Sequence, residues 1–161
     1  FPAINWLSSY SLYPQSLDQW FRDNIASDFP EVRTEISSLL QVEAELQEIV
    51  QLVGSDALPM DQQLTLEVAR MIREFFLQQN GFHEVDAYSG LEQQYKMAKA
   101  ILTFQDSAKK ALAAGGQLED VVNVPARTNL MRDRFEAGYL DRVDGLVDEM
   151  NKQIAAAAED N

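Results

Sequence analysis

Residues 30–54 read PEVRTEISSLLQVEAELQEIVQLVG and set the architecture of the chain. Proline suits the first helical position and glycine suits the residue after a helix end, so Pro30 and Gly54 predict one long helix between them. The apolar residues recur at helical spacing and form one stripe. An isolated amphipathic helix is only marginally stable in water, so the stripe predicts packing within a bundle. The residues of this stripe are Val32, Ile36, Leu39, Leu40, Leu46, Ile49, Val50 and Val53.

Further helical segments lie on both sides of this one. A short helix is predicted over residues 16–26, and a loop at 54–59 leads to a helix over about residues 60–79. Ser89 and Glu92 match the Ser-x-x-Glu pattern of a capping box and predict the start of a fourth helix. Because no segment has the period of a β-strand, the fold class predicted is an all-α helical bundle.

The remaining sequence completes this prediction. Gly115 and Gly116 end the fourth helix, and a short helical turn precedes Pro125. Pro125 then starts one last helix towards Ala158, whose alanine-rich end is expected to fray. Residues 1–14 show no helical period and are predicted to be an irregular N-terminal segment.

The composition argues against several classes of function. The chain has 13 basic and 26 acidic residues, which gives a formal charge of −13. Such a negative charge repels nucleic acid and anionic lipid. No apolar run approaches the roughly 20 residues of a membrane helix, so direct membrane insertion is not expected. The absence of cysteine and the single His83 argue against a metal site.

No catalytic group of residues is visible from the sequence pattern alone. Gly115-Gly116 is not followed by the Gly-Lys-Ser/Thr of a phosphate-binding loop. Glu43, Glu45 and Glu48 are interpreted as the solvated face of a helix, and His83 as a capping or surface residue. On this pattern, the chain could be a free-standing acidic helical adaptor that binds partner helices.

Three stretches carry a resemblance to a known family. They are FPAINWLSSYSLY at residues 1–13, ELQEIVQLVG with DALP within residues 45–59, and FLQQNGF with EVDAY within residues 76–88. In order and spacing they resemble the catalytic subunit (the A subunit, or alpha chain) of archaeal-type (A/V-type) ATP synthases. The resemblance extends to about residue 136.

The resemblance implies that the chain is the C-terminal part of a rotary enzyme's catalytic subunit. Residues 1–14 would be the tail end of a missing nucleotide-binding domain, and residues 15–161 the C-terminal helical bundle domain. The parent protein would make or hydrolyse ATP, coupled to translocation of protons or sodium. It would alternate with the non-catalytic B subunit in a hexamer around the central stalk. This complex would be peripheral, on the cytoplasmic face of the cell membrane.

The resemblance also assigns roles to particular residues. Phe1, Phe82 and Tyr88 would be aromatic walls of the adenine pocket for ATP or ADP, bound with Mg²⁺ in the full-length subunit. A loop would contact the rotating stalk, and because only its two aspartates are charged, a steric push is favoured over an electrostatic contact. The predicted rotor-contact residues are Asp56, Ala57, Leu58, Pro59, Met60 and Asp61.

The chain alone is not expected to be an enzyme, because the family's phosphate loop and catalytic glutamate would lie upstream of Phe1. Two stacked aromatic walls contribute about 2–6 kcal/mol, whereas a micromolar site needs about 8 kcal/mol. We therefore expect the chain alone to bind no nucleotide appreciably. We also expect it to be monomeric, because most of the intersubunit surface would lie in the upstream domains. A non-catalytic paralogue of the same family is the remaining alternative, and residues 1–6 favour the catalytic form.

Overall fold

The structure is a computed structural model that describes residues 16–78, 87–132 and 138–159. These residues form helices and no β-strand, which confirms the prediction of an all-α fold. None of the helices in these ranges is both long and apolar enough to cross a membrane. The helices are α1 (Ser16–Asn24), α2 (Phe29–Val53), α3 (Met60–Gln78), α4 (Ala87–Ala113), α5 (Leu118–Val122), α6 (Pro125–Arg132) and α7 (Tyr139–Glu159).

Helix α4 lies at the centre of the fold. It packs against α2, α3, α5 and α7. The core contains large apolar side chains from all these elements, so each helix buries its stripe against a neighbour, as the bundle prediction requires. Its fully buried members include Ile36, Leu64, Val68, Met97, Ile101, Phe104, Val121, Leu130, Met150 and Ile154.

The start of α4 differs from the capping-box prediction. Because α4 begins at Ala87, Ser89 lies inside its first turn and is not the N-cap. Alanine is the strongest helix former, which favours a helix that extends past the serine.

The C-terminal region contains two helices where one was predicted. Helix α6 ends at Arg132, and Gly138 adopts a φ of +78° immediately before α7. This left-handed conformation is accessible to glycine at little cost and interrupts a helix. The buried Tyr139 then donates a hydrogen bond from its hydroxyl to the Leu130 carbonyl oxygen, 2.8 Å away. A single helix from Pro125 is therefore wrong, because the chain turns and packs α7 alongside α6.

The end of α7 is packed, contrary to the expected fraying. Helix α7 continues to Glu159, Ile154 is buried, and Ala158 packs against the core. A Cβ added to Gly116 would lie 3.0 Å from the Ala111 carbonyl oxygen and 3.3 Å from the Ala158 Cα. The missing side chain of Gly116 therefore permits this close approach.

We predict that Gly116→Ala lowers the free energy of unfolding of the 161-residue chain by about 1–2 kcal/mol, the usual cost of overpacking. Gly145 is the matched control, because it is exposed within α7 and an added Cβ would meet no atom within 4 Å. Gly145→Ala should raise the free energy of unfolding by about 0.5–1 kcal/mol, since alanine restricts the unfolded chain. Urea unfolding followed by circular dichroism measures both, and equal effects of the two substitutions would contradict this packing.

Candidate functional site

The hairpin between α2 and α3 ends in an ordered turn. Gly54 has a φ of +86°, and its N–H donates to the Val50 carbonyl oxygen at 2.8 Å, which ends α2. A 3-10 turn over Ser55–Ala57 follows, and Leu58 is buried beneath it. The Gln63 side-chain amide donates to the Leu58 carbonyl oxygen at 2.8 Å. The turn is thus fixed by backbone geometry, one apolar anchor and a side-chain hydrogen bond.

This turn contains the predicted rotor-contact residues, and the structure divides them into two kinds. Asp56, Ala57, Pro59, Met60 and Asp61 are exposed and available to a partner. Leu58 faces inward, so its place in the predicted set differs from that of the others. It holds the turn in position, and it could touch a partner only if the turn rearranged.

An exposed apolar surface lies beside the turn, and we name it the apolar tip. It consists of Ile49, Leu52 and Val53 at the end of α2 and Met60 at the start of α3. Leu52 is 84% exposed and Val53 is 61% exposed. Among residues with described side chains, the other large exposed apolar ones are Trp20 and Val42, and Val42 also lies on α2. Apolar exposure is therefore concentrated on this hairpin, as expected of an interaction surface.

The sequence pattern did not reveal this surface, because it placed Ile49 and Val53 in the buried stripe. The neighbouring helices cover the side of α2 that carries Ile36, Leu39 and Leu46. They leave the adjacent side open near the tip. A usable signal was present, because residues 49, 50, 52 and 53 span about 160° of the helix surface at 100° per residue, wider than the side that carries Ile36, Leu39 and Leu46. An apolar arc wider than the side covered by the neighbouring helices leaves surface for a second partner.

Acidic residues lie close to the apolar tip along the chain, and Glu45 and Glu48 precede Ile49 and Leu52 by one helical turn. Glu45, Glu48, Asp56 and Asp61 are exposed near it along the chain. No lysine, arginine or histidine occurs between Arg33 and Arg70. The resulting surface has an apolar centre and an acidic rim, which is complementary to a partner with an apolar patch and basic side chains around it.

An ion pair between the buried Glu43 and the exposed Arg73 joins the two helices of the hairpin behind the tip. The Arg73 Nε of α3 donates to Glu43 Oε1 of α2 at 2.6 Å, and the Glu43 carboxylate is buried. The interpretation of Glu43, Glu45 and Glu48 as one solvated face is therefore right for the last two and wrong for Glu43. Arg73 lies 30 residues further along the chain, so only the tertiary structure brings the two charges together.

The predicted adenine-pocket residues lie at or beyond the edge of the description. Phe1 and Phe82 fall outside the described residues, as does His83. Tyr88 is in the first turn of α4, but its side chain is not among those described. Their grouping around a nucleotide therefore stays a prediction.

A metal site built from several side chains is not seen in the part of the chain that the structure describes. No group of three or more histidine, cysteine or acidic side chains within it is arranged to hold a metal.

Comparison with known proteins identifies the family. The family model described as the C-terminal domain of V and A type ATP synthase matches residues 18–122. The chain is 50% identical over 156 residues to the A subunit of the A-type ATP synthase of Methanosarcina barkeri, covering 97% of this chain and 27% of that protein. It is 49% identical over 161 residues to the V-type ATP synthase alpha chain 1 of Clostridium tetani, covering 99% of this chain and 26% of that protein.

A third relative shows the same pattern of coverage. The A subunit of the A-type ATP synthase of Natronomonas pharaonis is 51% identical over 154 residues, which are 96% of this chain and 26% of that protein. The likeness therefore continues past residue 136, and the chain spans about a quarter of the length of these relatives. These matches confirm the resemblance seen in the sequence motifs, and the chain belongs to the family of the C-terminal domain of V- and A-type ATP synthases.

Proposed function

We propose that the chain is the lever of a rotary ATP synthase, forming the C-terminal part of its catalytic subunit, and that its apolar tip contacts the central stalk. The observation that carries this proposal is the concentration of exposed apolar side chains at the end of the braced α2–α3 hairpin. The resemblance points to the same hairpin from sequence. A stiff helical hairpin suits a part that is pushed by a moving shaft.

The chemistry of the tip suggests the form of this contact. Apolar side chains at the centre bury surface against the stalk, and the acidic rim selects a basic surround on the stalk. The contact is therefore mainly steric and apolar, with charge contributing to orientation. Contact residues then include Ile49, Leu52 and Val53 in addition to the turn at 56–61.

The parent protein performs the chemistry in this proposal. It makes or hydrolyses ATP, coupled to movement of protons or sodium, in a hexamer with the non-catalytic B subunit at the cytoplasmic face of the membrane. Phe1, Phe82 and Tyr88 form the aromatic walls around adenine, because a purine is held well by flat π-surfaces. The sequence contains no phosphate loop, so the chain alone does not turn over ATP.

The proposal is tested by Leu52→Asp in the full-length catalytic subunit, assembled with its partner proteins. A carboxylate placed in an apolar contact loses its hydration and should lower the ATP turnover of the complex about tenfold, equivalent to about 1.4 kcal/mol. Stability should change by no more than about 0.5 kcal/mol, since Leu52 is exposed in the chain itself. Turnover assays on purified complexes and urea unfolding of the 161-residue chain give the two measurements.

Gln47→Asp is the matched control for this experiment. Gln47 is exposed on the same helix, and it lies about 200° around the helix from Ile49, away from the tip. It adds the same charge and should leave turnover within about twofold of the parent complex, an effect below about 0.5 kcal/mol. If Leu52→Asp and Gln47→Asp have the same effect on turnover, the apolar tip is not the contact and the lever proposal is wrong.

A further inference from the structure

At the N-terminal end of α2, opposite the apolar tip, the N-cap aspartate Asp28 bonds to another helix. Asp28 precedes α2, yet its side chain makes no capping hydrogen bond to that helix. Its Oδ1 accepts from the Tyr95 hydroxyl at 2.6 Å, and its Oδ2 accepts from the Lys99 Nζ at 2.6 Å. A cap normally contributes about 1 kcal/mol to helix stability. Here the carboxylate instead joins α2 to α4, and we name Asp28, Tyr95 and Lys99 the α2–α4 clamp.

Electrostatics favour the protonation states that the clamp requires. Partial burial tends to raise the pKa of Asp28, but hydrogen bonds from Lys99 and Tyr95 and the charge of Lys99 outweigh it and lower the pKa. Burial raises the pKa of Tyr95, and the hydrogen bond to the Asp28 carboxylate raises it further. At neutral pH the carboxylate is therefore ionised and the phenol keeps the proton that it donates.

Aromatic rings pack beside the clamp. The Phe29 ring stacks on Phe21 of α1 with a centroid distance of 4.7 Å, and on Tyr95 with a centroid distance of 6.0 Å. The Arg33 guanidinium lies 5.4 Å from the ring centres of both Phe21 and Phe29. Polar and aromatic contacts together fix the base of α2 against α4.

The position of the clamp connects the two parts of the proposed function. Helix α2 has 25 residues and is therefore about 37 Å long, with the clamp at one end and the apolar tip at the other. Tyr95 lies seven residues after Tyr88 on α4, which is about two turns or 10 Å along the helix. The clamp thus joins α4 to the base of the lever about two helical turns from Tyr88.

We propose that the α2–α4 clamp sets the position of the adenine wall relative to the lever. Asp28, Tyr95 and Lys99 are positioning residues that act through α4 on nucleotide affinity. This inference rests on the proposed function, in that Tyr88 contributes to the adenine pocket of the parent protein. The ion pair between the half-exposed Lys99 and Asp28 suits this role, because it fixes α4 relative to α2 without the deep burial of a charge.

The test uses Asp28→Asn and Tyr95→Phe in the full-length catalytic subunit within its assembled complex. Each should raise the KM for ATP about tenfold, the size of effect expected when one aromatic wall is misplaced, while kcat falls by less than about twofold. Glu31→Gln is the matched control, because Glu31 also loses a charge near the start of α2 but pairs with Arg22 of α1. Its KM should stay within about twofold of the parent complex.

Two readouts separate positioning from a general structural effect. Ribose triphosphate, which lacks a base, should show the same KM in the variants and in the parent complex, because it does not use the adenine wall. The double variant of Asp28→Asn with Tyr95→Phe should be no worse than the more affected single variant, since both break one clamp. An unchanged KM for ATP, equal KM increases for both triphosphates, or additive effects would each overturn the inference.

Failure of this inference can be told apart from failure of the lever proposal. If Leu52→Asp lowers turnover while Asp28→Asn leaves KM unchanged, the lever stands and the clamp proposal is wrong. If Leu52→Asp has no effect while Asp28→Asn raises the KM for ATP alone, the clamp positions the pocket and the lever contact is wrong.

Discussion

Replacing Ile36 by alanine should lower the free energy of unfolding of the 161-residue chain by about 2–4 kcal/mol. Ile36 is 0% exposed and belongs to the core formed by α2, α3 and α4. Truncation removes buried methyl and methylene groups and leaves a cavity, because neighbouring helices relax only partly. Urea unfolding of the two proteins, followed by circular dichroism, measures the difference.

Ile49→Ala is the matched control, since it makes the same chemical change on the same helix. Ile49 is 43% exposed at the apolar tip, so its truncation should change stability by less than about 1 kcal/mol. A loss at Ile49 as large as that at Ile36 would show that both side chains are buried in solution. That outcome would contradict the apolar tip as well as the structure of the hairpin.

Arg127→Met should lower the free energy of unfolding by about 2–3 kcal/mol, because it removes several partly buried contacts together. The Arg127 guanidinium donates to Glu67 Oε2 at 2.8 Å and to the Val122 carbonyl oxygen at 2.9 Å. It also lies 5.1 Å from the centre of the Phe104 ring. Burial lowers the pKa of Arg127, and Glu67 offsets only part of that effect. Because arginine has a very high ordinary pKa, the guanidinium stays charged, and it links α6 to α3, α4 and α5.

Arg70 provides the control for Arg127, because both arginines pair with the same oxygen of Glu67. The Arg70 side chain is 58% exposed, whereas that of Arg127 is 11% exposed. Arg70→Met should therefore change stability by less than about 0.5 kcal/mol. Urea midpoints of Arg127→Met and Arg70→Met measure the two losses of stability. Similar losses would mean that the burial of Arg127 does not increase its contribution to the free energy of unfolding.

Local signals in the sequence predicted most helix boundaries well. Pro30 and Gly54 locate the ends of α2 to within one residue, because their backbone preferences act regardless of what the helix packs against. The prediction failed at Gly138, where a single glycine could be tolerated within a helix or could end one. Contacts distant in sequence, including the Tyr139 hydrogen bond to Leu130, accompany the turn at this glycine.

The candidate site was predicted only in part. The turn at 56–61 was predicted to be the rotor contact through resemblance, and the contact itself stays a prediction; its residues are exposed apart from the buried Leu58. Ile49, Leu52 and Val53 were missed because hydrophobic periodicity reports which residues are apolar and not which of them a neighbour covers. The α2–α4 clamp could not be predicted for a related reason, since Tyr95 and Lys99 lie 67 and 71 residues after Asp28.

The sequence by itself determined the helical class, the long α2 helix, the hairpin turn and the family, because each depends on short-range backbone preferences or on contiguous motifs. The tertiary structure alone decided that Glu43 is buried and pairs with Arg73 while Glu45 and Glu48 face solvent. It also decided that Ile36 is core and Ile49 is surface. The physical reason is that burial depends on which helix packs against which side, and that choice is made by the whole bundle.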